Sequence, residues 1–161
     1  MKKLILIRHA KSSWDAPLKD FDRPLTSGGI ADAHLVSSAV VNYLPKNFLL
    51  WSRAAKRASE TAMIFAQNIS FPVESIVFKE ELYTFDDYKL EQIISNCSDQ
   101  FDNLIVFGHN EAITNFVNKF GNIFIDNVTT SGFVSIIFET NSWKDLKKGT
   151  TSKVIFPRDL R

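Results

Sequence analysis

The sequence lacks the features that mark disulfide-stabilised, secreted and membrane-spanning proteins. Its one cysteine, Cys97, cannot form an intrachain disulfide, and the arginine that a cysteine-based phosphatase loop needs six positions later is replaced by Asn103. The apolar run at residues 4–7 is too short for a signal peptide and ends in charge at Arg8. No apolar run approaches the ~20 residues that a membrane-spanning helix needs. We therefore expect a reduced, cytoplasmic protein with a buried or half-buried thiol.

An excess of charge of one sign is also absent. The 19 basic and 18 acidic residues give a formal net charge of +1, without the basic stripe of a nucleic-acid or membrane-surface protein. No acidic cluster demands a metal, although Asp86 and Asp87 are kept open as a weak cation site. We expect no nucleic-acid partner, no membrane partner, no metal and no cofactor, while the oligomeric state stays undetermined.

The sequence alternates between short apolar runs and segments with helical periodicity. Strands are predicted at residues 4–7, 48–51, 73–78, 104–107, 133–138 and 154–156, and helices at 26–44, 53–69, 88–97 and 112–120. Such alternation predicts an α/β fold: a single three-layer α/β/α domain over residues 1–161, with a mostly parallel central sheet and helices on both faces. A long polar loop is expected from residue 8 to residue 25.

Basic side chains and histidines follow three of the predicted strands. Arg8 and His9 follow the first strand, Arg57 lies one turn into the helix after the second, and His109 follows residues 104–107. Ligands of such folds bind beyond the carboxyl ends of the strands. We therefore expect two histidines and at least two arginines at one edge of the sheet.

This set of side chains is suited to phosphoryl transfer. Arginine donates two parallel hydrogen bonds to phosphate oxygens and stays charged. A histidine with one unprotonated ring nitrogen can act as the nucleophile and form a phosphohistidine intermediate, while a second histidine stabilises the charge on the transferred group. Chemistry of this kind needs no metal.

At these positions the sequence resembles the histidine phosphatase superfamily, which has the phosphoglycerate mutase-like fold. Within it, the similarity is to the small phosphohistidine phosphatases of the SixA type, and it runs from residue 4 to about residue 138. The matching motifs are Arg8-His9-Ala10-Lys11-Ser12-Ser13-Trp14, Asp22-Arg23-Pro24-Leu25-Thr26 with Gly29, Ser52-Arg53-Ala54-Ala55-Lys56-Arg57-Ala58 with Thr61-Ala62, and Gly108-His109-Asn110.

The resemblance implies roles for individual residues. It makes His9 the nucleophile, Arg8 and Arg57 phosphate ligands, and His109 the second histidine at the phosphate. Further phosphate-binding residues that it implies are Arg23 and Asn110. Two positions depart from the family pattern: Arg53-Ala54 stand where Ser-Pro is common, and Glu111 stands where Pro often follows His-Asn. We interpret Arg53 as a surface or rim residue.

The general acid and the substrate are left open by the sequence. Glu81 is the main candidate acid, ahead of Asp86 and Asp87, and Lys11 and Trp14 are equally consistent with a place at the pocket mouth and with a structural role. A neutral imidazole leaves more readily than an alkoxide, so a site without a dedicated acid favours phosphohistidine on a protein. The alternatives are a small phosphate ester as substrate, or a non-catalytic module that binds phosphoproteins.

Overall fold

A six-stranded mixed sheet organises the protein, whose computed structural model describes residues 1–13 and 22–161. The strands are β1 (Lys2–Arg8), β2 (Leu49–Ser52), β3 (Val77–Phe78), β4 (Asn103–Gly108), β5 (Phe133–Phe138) and β6 (Thr150–Ile155). They lie in the order β3-β2-β4-β1-β5-β6. The first four strands are parallel to one another, β5 is antiparallel to β1, and β6 is antiparallel to β5.

In the part of the chain that the structure describes, four α-helices cover the two faces of this sheet: α1 (Ser27–Val40), α2 (Lys56–Asn68), α3 (Asp87–Ser95) and α4 (Ala112–Phe120). Alternate residues of β1 show how the layers form. Leu4 and Leu6 belong to the buried cluster that includes α3 and α4, whereas Ile5 and Ile7 belong to the cluster that includes α1 and α2. The predicted three-layer α/β/α architecture with a mostly parallel sheet is therefore confirmed.

Some predicted boundaries were wrong. Residues 73–78 do not form one strand, because Ser75 N donates to Pro72 O in a 3₁₀ turn at Val73–Ser75 and only Val77–Phe78 pairs with β2. The first helix ends at Val40, four residues before the expected end, and a 3₁₀ turn over Val41–Tyr43 follows.

The last strand was also predicted too short, at residues 154–156. The strand begins at Thr150. Because β6 lies at the edge of the sheet, it includes polar side chains that face solvent, and the apolar run therefore marked only its end. Trp14 and the rest of residues 14–21 lie outside the described residues. Within residues 1–13 and 22–161, no helix has the length and apolar character needed to cross a bilayer.

Hydrogen bonds connect the start of α1 to Lys11, two residues after His9. Thr26 is the N-cap: its Oγ1 accepts a hydrogen bond from Gly29 N at 2.9 Å. Thr26 N also donates to Lys11 O at 2.9 Å. A Cβ at Gly29 would collide with Lys11 O, so a glycine is required for this close approach. The start of α1 therefore packs directly against the backbone of Lys11.

Candidate active site

The carboxyl ends of β1 and β4 bring His9 and His109 together. Arg8 and Gly108 are paired in the register of these two parallel strands, and His9 N donates to Gly108 O at 3.2 Å. The two imidazole rings belong to the residues that follow these two strands. Their centroids are 4.5 Å apart and the rings make a T-shaped contact. The two histidines predicted to share one sheet edge are thus in contact.

The orientation of His9 leaves one ring nitrogen available for chemistry. His9 Nδ1 lies 2.9 Å from Ala10 O, and because a carbonyl oxygen can only accept, Nδ1 carries the hydrogen. The lone pair of the neutral ring is therefore on Nε2. Ala10 N donates to Thr61 Oγ1 at 3.0 Å, and Thr61 Oγ1 donates to Arg57 O at 2.7 Å. These bonds connect the backbone beside His9 to the first turn of α2.

The surroundings of His9 keep its imidazole neutral. Burial, together with the positive charges of Arg57, Arg8 and Arg23, lowers the pKa of His9 from 6.5 to about 4. The hydrogen bond to the Ala10 carbonyl acts in the opposite direction on the pKa. Three guanidinium groups therefore lie close enough to His9 to act on its charge.

This lowered pKa gives a prediction about pH. We expect an NMR titration of the His9 ring to have its midpoint near pH 4 instead of near 6.5. Since the unfolded chain takes up this proton near pH 6.5 and the folded protein only near pH 4, the stability that this group contributes should fall as the pH decreases between those values. The spectrum of a His9→Ala variant assigns the signal. A midpoint near 6.5 would contradict the burial of the ring.

The arginines around His9 are held by the protein in an environment that favours a bound anion. Arg23 is 4% exposed and Arg57 is 3% exposed. Arg8 Nη1 donates to Val128 O at 3.0 Å; burial lowers the pKa of Arg8, and the Glu111 carboxylate opposes that shift. Charged groups are costly to bury without compensation, so a cluster of arginines beside a histidine is typical of a site for a multiply charged anion.

A cavity of about 470 Å³ opens at this point. Its lining shares polar or basic character and consists of Arg8, His9, Lys11, Ser12, Arg23, Asn127, Thr129 and Thr130. Among the residues that the structure describes, the lining contains no carboxylate. Thr129 Oγ1 is buried and has no hydrogen-bond partner within the described chain. Sequence reasoning missed the segment 127–130, because its polar residues follow no strand and match no motif.

Asn110, which was predicted to bind phosphate, uses its side-chain amide in hydrogen bonds within the protein. Its Nδ2 donates to Asn127 Oδ1 at 2.8 Å and to Val128 O at 3.2 Å, and its Oδ1 accepts from the backbone N and the hydroxyl of Thr114. Both amide hydrogens are therefore used, which leaves no side-chain donor for a phosphate. The amide instead fixes the segment that contains Val128, the acceptor for Arg8.

The candidate acids lie in different settings. Glu81 is exposed in a 3₁₀ turn at Glu80–Leu82 and, within the described residues, has no hydrogen-bond or ion-pair partner. Asp86 Oδ1 accepts from Tyr88 N and caps α3, whose first residue is Asp87. Over residues 1–13 and 22–161, no group of three histidine, cysteine or acidic side chains could hold a metal. The negative charge of the Glu111 carboxylate acts to raise the pKa of Arg8, a residue of the site.

Arg53 is not the surface residue that the sequence indicated. It is 6% exposed, and its guanidinium carbon lies 3.8 Å from the centroid of the Tyr83 ring. Its Nε donates to Glu80 Oε1 at 2.7 Å. Tyr83 and Phe85 in turn contact His109, with ring centroids 5.2 Å and 6.0 Å away. We refer to Tyr83 and Phe85 as the aromatic wall.

The remaining cysteine takes no part in this site. Cys97 is 5% exposed in the buried cluster of α3 and α4, and burial raises the pKa of its thiol to about 11. The thiol is therefore protonated at neutral pH, in agreement with a packing role.

The order of these residues along the chain and their geometry define a family. The chain belongs to the histidine phosphatase superfamily (branch 1), whose family model matches residues 4–85. An uncharacterized chloroplastic protein of Arabidopsis thaliana is 35% identical over an alignment of 121 residues, and the match covers 68% of this chain and 55% of that relative. The chain thus spans about half the length of the curated relative that it matches.

Solved structures show that the fold is shared with SixA proteins. The protein histidine phosphatase SixA complexed with tungstate matches with a TM-score of 0.80 at 20% identity, over 99% of each chain. A putative phosphohistidine phosphatase SixA from Agrobacterium tumefaciens matches with a TM-score of 0.76 at 22% identity, over 96% of this chain and 97% of the other. The phosphoglycerate mutase-like α/β fold predicted from the motifs is therefore confirmed.

Proposed function

We propose that the protein is a metal-independent phosphatase that forms a phosphohistidine intermediate on His9 and hydrolyses phosphohistidine in proteins. The carrying observation is the state of His9. Its Nδ1 lies 2.9 Å from Ala10 O and donates its hydrogen to that oxygen, and the pKa of the ring is lowered to about 4. Nε2 is therefore unprotonated at neutral pH and available as a nucleophile. The cationic groups of Arg8, Arg23 and Arg57 surround this nucleophile.

The reaction proceeds in two displacement steps at phosphorus. His9 Nε2 attacks phosphorus, an N–P bond forms, and the bond from phosphorus to the leaving nitrogen breaks in line with the attack. The leaving imidazole, protonated on its other nitrogen, keeps the electron pair and departs neutral. Water then attacks the phosphorus, the bond to His9 Nε2 breaks, and the proton of the water ends on the phosphate or the solvent. The arginines stabilise the equatorial oxygens in both steps.

The features around the cavity favour imidazole as the leaving group. An alkoxide must be protonated as it leaves, and general acids contribute roughly 10²–10⁴-fold to such reactions. The described lining of the cavity contains no carboxylate, and Glu81 is exposed without a partner in the described chain. Imidazole has a reference pKa of about 6.5 for its conjugate acid and leaves without that assistance.

Side-by-side turnover measurements test this proposal. A protein phosphorylated on histidine with phosphoramidate is compared with glucose 6-phosphate at the same pH. We expect kcat/KM to be at least about 100-fold larger for the phosphohistidine protein, because general acid assistance worth ~10²–10⁴ is lacking for the ester.

Two results would overturn the proposal in different ways. Faster hydrolysis of the sugar phosphate would make the protein a small-molecule phosphomonoesterase, in which Glu81→Gln should then slow alkyl phosphates more than aryl phosphates. Binding of the phosphoprotein without turnover would make it a non-catalytic binding module.

A further inference from the structure

We infer that the aromatic wall of Tyr83 and Phe85 binds the ring of the leaving group, so that the site favours phosphorylated imidazole over phosphorylated amines that have no ring. This inference rests on the proposed function and adds to it the residues that select the leaving group. It starts from Arg53, a departure from the family pattern that stacks on the wall.

The wall lies next to the histidine pair. The His109 ring contacts His9 at 4.5 Å between centroids, and it contacts Tyr83 at 5.2 Å and Phe85 at 6.0 Å. In an in-line displacement the leaving group lies on the far side of phosphorus from the nucleophile. With the phosphoryl group bound by His9 and His109, a leaving group on that far side can contact the other rings beside His109, which are those of the wall.

The wall is held in place before any substrate binds. The buried Arg53 stacks on Tyr83 at 3.8 Å and forms an ion pair with Glu80 at 2.7 Å. Tyr83 contacts Phe85 at 5.3 Å between centroids. Thr84, between them, is buried and accepts a hydrogen bond from Asp86 N at 3.1 Å. A fixed wall loses little conformational entropy when it binds a ring.

The chemistry of the wall matches imidazole. Phe85 is 58% exposed and Tyr83 is 39% exposed, and large aromatic side chains that remain exposed beside a polar pocket indicate a contact surface. Aromatic rings pack edge to face or offset with one another, as His109 already does with both residues. A protonated phosphoimidazole also carries positive charge, which the face of an aromatic ring attracts. An amine without a ring gains the charge interaction but not the ring contact.

Two substrates with the same type of bond isolate the contribution of the ring. Phosphoramidate and N-phosphoimidazole both contain a P–N bond, but only the second has an aromatic leaving group. We expect Phe85→Ala to lower the ratio of kcat/KM for N-phosphoimidazole to kcat/KM for phosphoramidate about two- to tenfold, the range that corresponds to ~0.5–1.5 kcal/mol for a ring contact. Phe85→Leu, which keeps an apolar side chain without a ring, should lower the ratio less.

Phe101→Ala provides the matched control. Phe101 is 42% exposed and precedes β4, so it lies at the opposite end of that strand from His109. This variant should leave the ratio unchanged. An unchanged ratio in Phe85→Ala, or an equal loss with both substrates, would overturn the inference while the proposed function stands. Failure of the wild-type protein to hydrolyse a phosphohistidine protein would overturn the proposed function, and the inference with it.

Discussion

His9→Ala is expected to lower turnover of the phosphohistidine protein by at least about 10⁴-fold, the scale seen when an enzyme loses its nucleophile. The reason is that, in the proposed mechanism, Nε2 of His9 forms the bond to phosphorus, and without it water alone must attack a group that the arginines still bind. Rapid quenching of the wild-type protein during turnover should trap one phosphoryl group that is stable to alkali and labile to acid. The His9→Ala variant should trap none.

His34→Ala is the matched control for this experiment. His34 is exposed on α1, where its Nδ1 lies 3.0 Å from Asn68 Nδ2, away from the cavity. Its loss should change neither turnover nor trapping. Full activity in His9→Ala would show that His9 is a structural residue and would remove the basis of the proposed mechanism.

Arg57→Ala is expected to lower kcat/KM about 10²–10³-fold, as removal of one pre-positioned donor to a transition-state oxygen does. Arg57 lies in the first turn of α2 and is 3% exposed, so its charge acts on the site with little screening by water. The same substitution should shift the His9 pKa upward from about 4, because the positive charge of Arg57 lowers it. Steady-state kinetics and the His9 titration measure the two effects.

Lys56→Ala separates this effect from a general change in charge. Lys56 precedes Arg57 in α2 but is exposed, so its removal should affect neither the kinetics nor the His9 pKa appreciably. Arg57→Lys keeps the charge but loses the two parallel donors, and we expect its activity to lie between that of the wild type and that of Arg57→Ala. Equal activity of all four proteins would exclude Arg57 from the phosphate site.

The site was predictable where it depends on strand ends. Short apolar runs predicted β1 and β4, and the residues after them, His9 and His109, meet because parallel strands end at one sheet edge. The prediction failed for Arg53, which looked like a surface residue because its partner, Tyr83, is thirty positions further along the chain. A contact between a helix entry and a distant 3₁₀ turn has no periodicity that a sequence could display.

Asn110 shows a second limit of sequence reasoning. The sequence indicated a phosphate ligand at this position, but the contacts of Asn110 depend on where the segment with Asn127 and Val128 returns to the site. That segment is polar and irregular, so its path is set by tertiary hydrogen bonds that have no local signature. Similarly, residues 73–78 are apolar enough for a strand, yet the turn after Pro72 shortens it to Val77–Phe78.

In the proposed mechanism, the hydrogen bond between His9 Nδ1 and Ala10 O also determines which positional isomer of phosphohistidine forms as the intermediate. With Nδ1 occupied as a donor, the phosphoryl group would be received on Nε2, and the intermediate would be τ-phosphohistidine. The imidazole of a substrate is not fixed by the protein in this way, and its phosphoryl group can sit on either nitrogen. Transfer from a π-phosphohistidine substrate would then change the isomer as well as the carrier, whereas transfer from a τ-phosphohistidine substrate would preserve it.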